Sequence, residues 1–230
     1  MQDPEYVKGA FARIAGRYVL TNHVLSLGSD VWWRRQVARR VAAWQPARVL
    51  DVATGTGDLA LAIRRACPAA EVTGADFCPE MLEQAARRGV APTVVADALA
   101  MPFESAGFDV VTVAFGLRNM ADRGAALREM RRVLRPGGHL LVLDFSLPAG
   151  VLRGPYRWYL HRVLPTAAGW LTGETAAYRY LGGTIELFPS GAAMCRLIEE
   201  NGFREAAARQ LSFGVASIYT AEAADGGHTG

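Results

Sequence analysis

The sequence predicts a doubly wound α/β sheet, mostly parallel, with an antiparallel strand at its end, helices ahead of it and a helical insert before the last helix. Three observations carry this. From Arg48 onward, short β-branched runs alternate with helical ones, and continuous apolar strands joined by helices must be buried on both faces. The first run, VLDVA, breaks into Thr54-Gly55-Thr56-Gly57-Asp58, a tight turn that opens a helix. The last two runs, AAARQLSFG and VASIYTAEA, read as an antiparallel pair.

The elements follow in order. Val7, Phe11, Ile14 and Tyr18 form one stripe of an amphipathic helix. Asp30 is placed to cap a second helix whose Trp33, Val37, Val41 and Trp44 share a face, with Arg34, Arg35, Arg39 and Arg40 mostly toward solvent. Strands are predicted at RVLDVA, EVTGADF, TVVADA, FDVVTVAF and HLLVLDF, and helices at DLALAIRRA, PEMLEQAARR and DRGAALREMRRVL. Pro79 suits a first helical turn, and Arg135-Pro136-Gly137-Gly138 reads as a stop before the next strand. A stretch rich in aromatics and arginine, with Tyr156, Trp158, Tyr159, Trp170, Tyr178 and Tyr180, reads as inserted helices. Pro189 to Asn201 reads as the last helix, closed by Gly202. One domain is expected over 1–230: amino-terminal helices at 1–45, a core at 46–146, the insert at 147–187, the final helix and strands at 188–222 and a disordered tail at 223–230.

At 230 residues and 51% hydrophobic, the chain suits one ordinary core, and a formal charge of +3 is too mild to argue for nucleic acid. Cys67, Cys78 and Cys195 lie far apart and form no C-x-x-C pair, so neither a disulfide framework nor a metal site is expected, and a reducing cytoplasm fits. The amino-terminal MQDPEY lacks the character of an export signal, and no apolar run approaches the roughly 18 residues of a membrane span.

Gly55-Thr56-Gly57-Asp58-Leu59-Ala60 formally satisfies G-x-G-x-x-[GA], so a nicotinamide dinucleotide and S-adenosylmethionine both come into question. A pyrophosphate uses the positive end of a helix, where Asp58 would repel it. S-adenosylmethionine carries a sulfonium, an ammonium and one carboxylate, and Asp51 at the end of the first strand favours its cationic part. Asp76, with Phe77 after it, ends the second strand, where a carboxylate accepts ribose hydroxyls of either cofactor. Asp97-Ala98 ends the third, an acid with an adjacent backbone N–H suited to an adenine edge, with Leu99 or Met101 to pack on the base. Three acids at successive strand ends favour the sulfonium cofactor, and the dinucleotide stays as the alternative.

With FARIAGRYVLTNHVLSLGSDVWWRR, DVATGTGD, GADFCPEML, AFGLRNMADR, RVLRPGGHLLVLDFS, YLGGTIELFPS and LSFGVASIYTAE in view, the chain resembles the ubiquinone/menaquinone-biosynthesis C-methyltransferase family over nearly its full length. Within that family it is most similar to the bacterial branch acting on demethylmenaquinol. It differs from the family pattern at Val19, where an aspartate is usual, at Asp30, where histidine is common, and at Asp144, where glutamate is frequent.

The resemblance implies a class I S-adenosylmethionine-dependent, Rossmann-like methyltransferase that transfers methyl to a ring carbon of demethylmenaquinol. It implies cofactor contacts from Asp51, Gly55, Thr56, Gly57, Asp76, Phe77, Asp97 and Ala98, acceptor contacts from Tyr18, Asn22 and Phe115, and catalytic roles for Arg118 and Asn119. Arg118 would stabilise a phenolate or polarise a water; the bland reading pairs it with an acid such as Asp122 and has Asn119 cap the next helix. Among the histidines, only His23 and His161 are candidates for a role, since His139 opens a strand and His228 lies in the tail. The aromatic insert suits a lid over the quinol and peripheral contact with the inner face of the cell membrane. Oligomeric state stays open, a homodimer included. The alternatives are a ubiquinone-pathway benzoquinol or another small molecule as acceptor, an NAD-dependent oxidoreductase, and a binding module without catalysis.

Overall fold

The computed structural model describes residues 28–163 and 183–224. The expected first helix, Tyr18, Val19, Asn22 and His23 lie outside the described residues, as do Trp170, Tyr178, Tyr180 and His228.

Helix α1 (Ser29–Ala43) follows Gly28, whose φ of 76° turns the chain into it. Trp33, Val37 and Val41 are buried along one face, as their spacing predicts, and Arg35, Arg39 and Arg40 are exposed. Two expectations fail here. Asp30 does not cap the helix: it lies within the first turn, buried, in an ion pair with Arg34 one turn on. Arg34 is buried rather than solvated, because that pair satisfies its charge while its stem packs at the margin of the apolar stripe.

The seven-stranded sheet has the order β3-β2-β1-β4-β5-β7-β6. Its parallel part comprises β1 (Arg48–Val52), β2 (Glu71–Asp76), β3 (Thr93–Val95), β4 (Phe108–Ala114) and β5 (Leu134–Phe145). Helices α2 (Asp58–Ala66), α3 (Pro79–Arg87, with Pro79 at its first position) and α4 (Arg123–Val133) connect them. Strand β7 (Ala216–Ala223) runs antiparallel between β5 and β6 (Phe203–Leu211), as the closing apolar runs predict. Strand β7 ends at Ala223, one residue into the stretch expected as tail.

Successive strand residues face opposite sides, which is why both faces carry a core. Val49, Val110, Leu141 and Leu143 pack with Trp33, Val37 and Ile63 of α1 and α2. Leu50, Val111, Leu140 and Val142 pack on the other side with Leu127 and Met130 of α4 and with Met194 and Ile198 of the last helix. Each such side chain contributes about 1.5–3 kcal/mol by leaving water.

The Arg135-Pro136-Gly137-Gly138 stretch is not a stop ahead of β5 but part of it. Leu134 is buried and pairs with Phe108, after which the register slips so that Val110 meets His139. Gly137 at φ 69° and the close packing of Gly138 absorb the surplus residues in a bulge. The third strand is shorter than expected and ends at Val95, before Asp97.

After β5 come a 3₁₀ turn (Gly150–Leu152), α5 (Arg153–Trp158) and a π turn (Tyr159–Val163), all helical as the insert predicts. Helix α6 (Ala192–Glu199) starts later than Pro189. Trp33 Nε1 donates to Ser212 Oγ at 2.9 Å, tying α1 to the turn between β6 and β7. Among the described residues, no helix is long and apolar enough to cross a membrane.

Candidate active site

Strand order reverses between β2-β1 and β4-β5, so the connections leaving β1 and β4 diverge and open a crevice at their carboxyl ends. The chain after β1 is wound left-handed at Ala53 (φ 52°), Gly55 (φ 57°) and Gly57 (φ 82°). Gly57 is required twice over, by that φ and because a Cβ there would lie 2.5 Å from Val90 Cγ2. Gly116, after β4, serves a close approach: its Cβ would come within 2.6 Å of Ala53 Cβ. The two loops therefore touch.

Asp51 forms the floor. Its carboxylate accepts hydrogen bonds from the hydroxyls of Thr54 and Thr112, both at 2.7 Å, and burial pushes its pKa up to about 6 against those bonds and the field of Arg34. The pocket above it is bounded by Arg34, Asp51, Ala53, Thr54, Gly55, Thr56, Asp58, Leu59, Ala114 and Phe115. This places Asp51, Gly55, Thr56 and Phe115 of the expected site around one cavity.

Asp76 stands at the end of β2 and braces the loop. Gly55 N–H donates to one of its oxygens at 2.8 Å and Cys78 N–H to the other at 3.0 Å, while burial pushes its pKa up. Each carboxylate oxygen has a second lone pair, so it retains capacity for ribose hydroxyls. Asp97 is exposed, with Leu99 N–H donating to it at 3.0 Å, and Ala98 follows at the same edge. Met101 is not available to a base, since it is buried in the core; Leu99 is half-buried.

Asp58 opens α2 but is not a bare charge there. Arg88 donates to it at 2.6 Å and to the Thr56 carbonyl at 2.7 Å, and although burial acts the other way, that hydrogen bond and the nearby guanidinium groups hold its pKa low. Its repulsion of a phosphate is softened by this clamp. The stronger discriminator is the floor: a buried acid beneath a pocket that also holds a guanidinium suits a ligand carrying both charges better than a pyrophosphate. The residues present thus fit S-adenosylmethionine.

Past β4, Phe115 has a left-handed φ of 59°, rare for a bulky side chain and a mark of local strain. Its buried ring packs 4.8 Å from Phe145 and 6.2 Å from Trp33. Arg118 Nη1 donates to Asp144 at 2.7 Å and to the Phe115 carbonyl at 2.6 Å. Asp144, not Asp122, is therefore its acid; Asp122 instead caps α4 by accepting from Ala125 N–H at 2.9 Å. Asn119 does not cap that helix, and its side chain donates to the Phe115 carbonyl at 3.4 Å. Tyr156 from α5 stacks on Tyr159 at 6.1 Å and feels the Arg118 charge, although burial pushes its pKa up. His161 faces Glu186 at 2.9 Å, and His139 stacks on Trp44 at 4.3 Å. Among the described residues, no cluster suited to a metal ion exists.

Sequence reasoning missed Arg34, Arg88 and the Asp144 partner. The spacing of Asp30 and Arg34 was a usable signal, since an acid and a base four apart beside an apolar stripe satisfy each other when buried.

The same course of chain occurs in a S-adenosylmethionine-dependent methyltransferase from Thermotoga maritima, with a TM-score of 0.67 at 19% identity over 94% of this chain and 98% of that one. The fold is that of class I S-adenosylmethionine-dependent methyltransferases. The chain belongs to the ubiE/COQ5 methyltransferase family, which it matches over residues 1–223. It is 46% identical to the demethylmenaquinone methyltransferase of Thermus thermophilus over 92% of this chain and 99% of that protein. The protein of the same name from Deinococcus radiodurans is 43% identical, over 94% of this chain and 92% of its own length.

Proposed function

We propose that this chain transfers a methyl group from S-adenosylmethionine to a ring carbon of demethylmenaquinol, giving menaquinol. The observation that carries the reading is the 46% identity, spanning 99% of a relative named for that reaction. The cofactor supplies an electrophilic methyl on a sulfonium. Asp51, Gly55, Thr56, Gly57, Asp76, Phe77, Asp97 and Ala98 hold it along the rim of the sheet, and Phe115 borders the same pocket. The family resemblance gives acceptor contacts to Phe115 and to Tyr18 and Asn22, which lie outside the described residues.

The acceptor must be reduced. A hydroquinone carbon is nucleophilic, more so when the neighbouring hydroxyl loses its proton, whereas the oxidised quinone is an electrophile. A carbon–carbon bond forms, the carbon–sulfur bond breaks, and the ring proton leaves to a base. Arg118 is not that base, because a guanidinium is a poor proton acceptor. Buried against Asp144, it fixes the Phe115 carbonyl and supplies a positive field for developing phenolate, while Asn119 orients the same carbonyl.

Peripheral membrane contact fits a substrate with a long apolar tail. Val151, Trp158, Leu187 and Phe213 are exposed apolar side chains, and Trp158 and Leu187 each adjoin one partner of the Arg157–Glu186 ion pair. The enzyme then works at the inner face of the membrane. One assay tests the acceptor: reduced naphthoquinol and benzoquinol offered with labelled S-adenosylmethionine. Methylated naphthoquinol is expected, and turnover of benzoquinol alone would overturn the assignment.

A further inference from the structure

Arg34 reaches the cofactor pocket from outside the sheet, on α1. Its side chain is only 9% exposed, its guanidinium lies 5.4 Å from the centre of the Phe115 ring, and it lines the pocket beside Asp51, Thr56 and Asp58. Among the described residues bounding that pocket it is the one cation. Of the other arginines nearby, Arg88 is committed to Asp58 and the Thr56 carbonyl, and Arg118 to Asp144 and the Phe115 carbonyl.

Burying a guanidinium is costly unless its donors are met. Among the described residues only Nη1 of Arg34 is hydrogen-bonded, to Asp30. The planar fork of arginine matches a carboxylate with two parallel N–H donors. The amino-acid end of S-adenosylmethionine carries a carboxylate, and Asp51 and Asp58, the other charged groups among the described residues bounding this pocket, would repel it.

We propose that Arg34 binds the α-carboxylate of S-adenosylmethionine, so that α1 reads the amino-acid end of the cofactor while the sheet edge reads its nucleoside. The proposal rests on S-adenosylmethionine being the methyl donor. Asp30 is then a positioning residue: its buried carboxylate aims the guanidinium and keeps it from folding back onto Asp51.

The test compares two ligands by calorimetry: S-adenosylhomocysteine and its decarboxylated counterpart, which keeps the amine and lacks only the carboxylate. The wild-type protein should prefer the first by about tenfold or more. In the charge-neutral pair Asp30→Asn with Arg34→Gln, affinity for S-adenosylhomocysteine should fall to that of the decarboxylated ligand, which itself stays within about twofold. Arg34→Lys, which keeps the charge without the fork, should recover part of the preference. Equal loss for both ligands, or no loss for either, overturns the proposal. A wild-type protein indifferent to the carboxylate overturns it too, whether or not the variants fold. Binding of neither ligand by the wild type would instead remove the methyl donor itself.

Discussion

Arg118 Nη1 lies 2.7 Å from Asp144 Oδ1, both side chains are closed off from solvent, and the guanidinium lies against the rings of Phe115 and Phe145. Removing either partner leaves a buried charge uncompensated. Arg118→Ala or Asp144→Ala should each cost about 3–5 kcal/mol of stability, and Arg118→Met with Asp144→Leu less than the sum. Urea denaturation of the three variants reads this directly; simple additivity would show the pair to be uncoupled.

Arg118→Lys separates stability from catalysis. The charge stays near Asp144, but the fork that also holds the Phe115 carbonyl is lost. Affinity for S-adenosylhomocysteine should be unchanged while turnover falls about tenfold or more. Steady-state kinetics beside calorimetry checks it, with retained turnover arguing against a role at the acceptor.

Asp76 holds Gly55 N–H and Cys78 N–H with separate oxygens. Asp76→Ala removes both braces and, on the proposed reading, the ribose acceptor with them. Affinity for S-adenosylhomocysteine should drop by about a hundredfold, or roughly 3 kcal/mol. Near-native affinity in the folded variant would take the ribose away from this residue.

The Asp51 carboxyl, raised from 3.8 to about 6, makes stability depend on pH with a definite sign. Between those values the native protein holds a proton that the unfolded chain has released. The contribution is therefore complete below about pH 4 and lost as pH rises through 6, amounting to about 3 kcal/mol in all. Asp51→Asn should remove this slope and be the more stable protein at pH 8. Denaturation curves at pH 5 and pH 8 decide it; a parent protein that gains stability over this window while the variant does not would reverse the sign.

Contact with the membrane should depend on the exposed apolar side chains after β5. Val151→Ser with Trp158→Ser should reduce flotation with anionic liposomes and leave calorimetric affinity for S-adenosylhomocysteine unchanged. Equal flotation of variant and parent would place the contact elsewhere.

Much of this architecture is legible in the sequence, because it depends on local periodicity. Uninterrupted apolar runs such as VLDV and LLVL betray strands buried on both faces, and the glycines at 55 and 57 mark the turn that a close approach requires. The reading failed where long-range partners decide. Arg34 looked solvated because its neighbours are arginines, yet one acid a turn earlier lets it sink beside the pocket. The bland alternative for Arg118 looks to a nearby acid in sequence such as Asp122, but the parallel pairing of β4 with β5 brings Asp144 alongside instead. The proline and glycines after Arg135 mimic a loop, and only Leu134 finding Phe108 across the sheet turns them into a bulge.

The bond from Trp33 to Ser212 joins segments 179 positions apart along the chain. Residues far apart in synthesis are thereby stitched together beside the candidate crevice, so a polypeptide emerging from the ribosome cannot form this tie until Ser212 has been made.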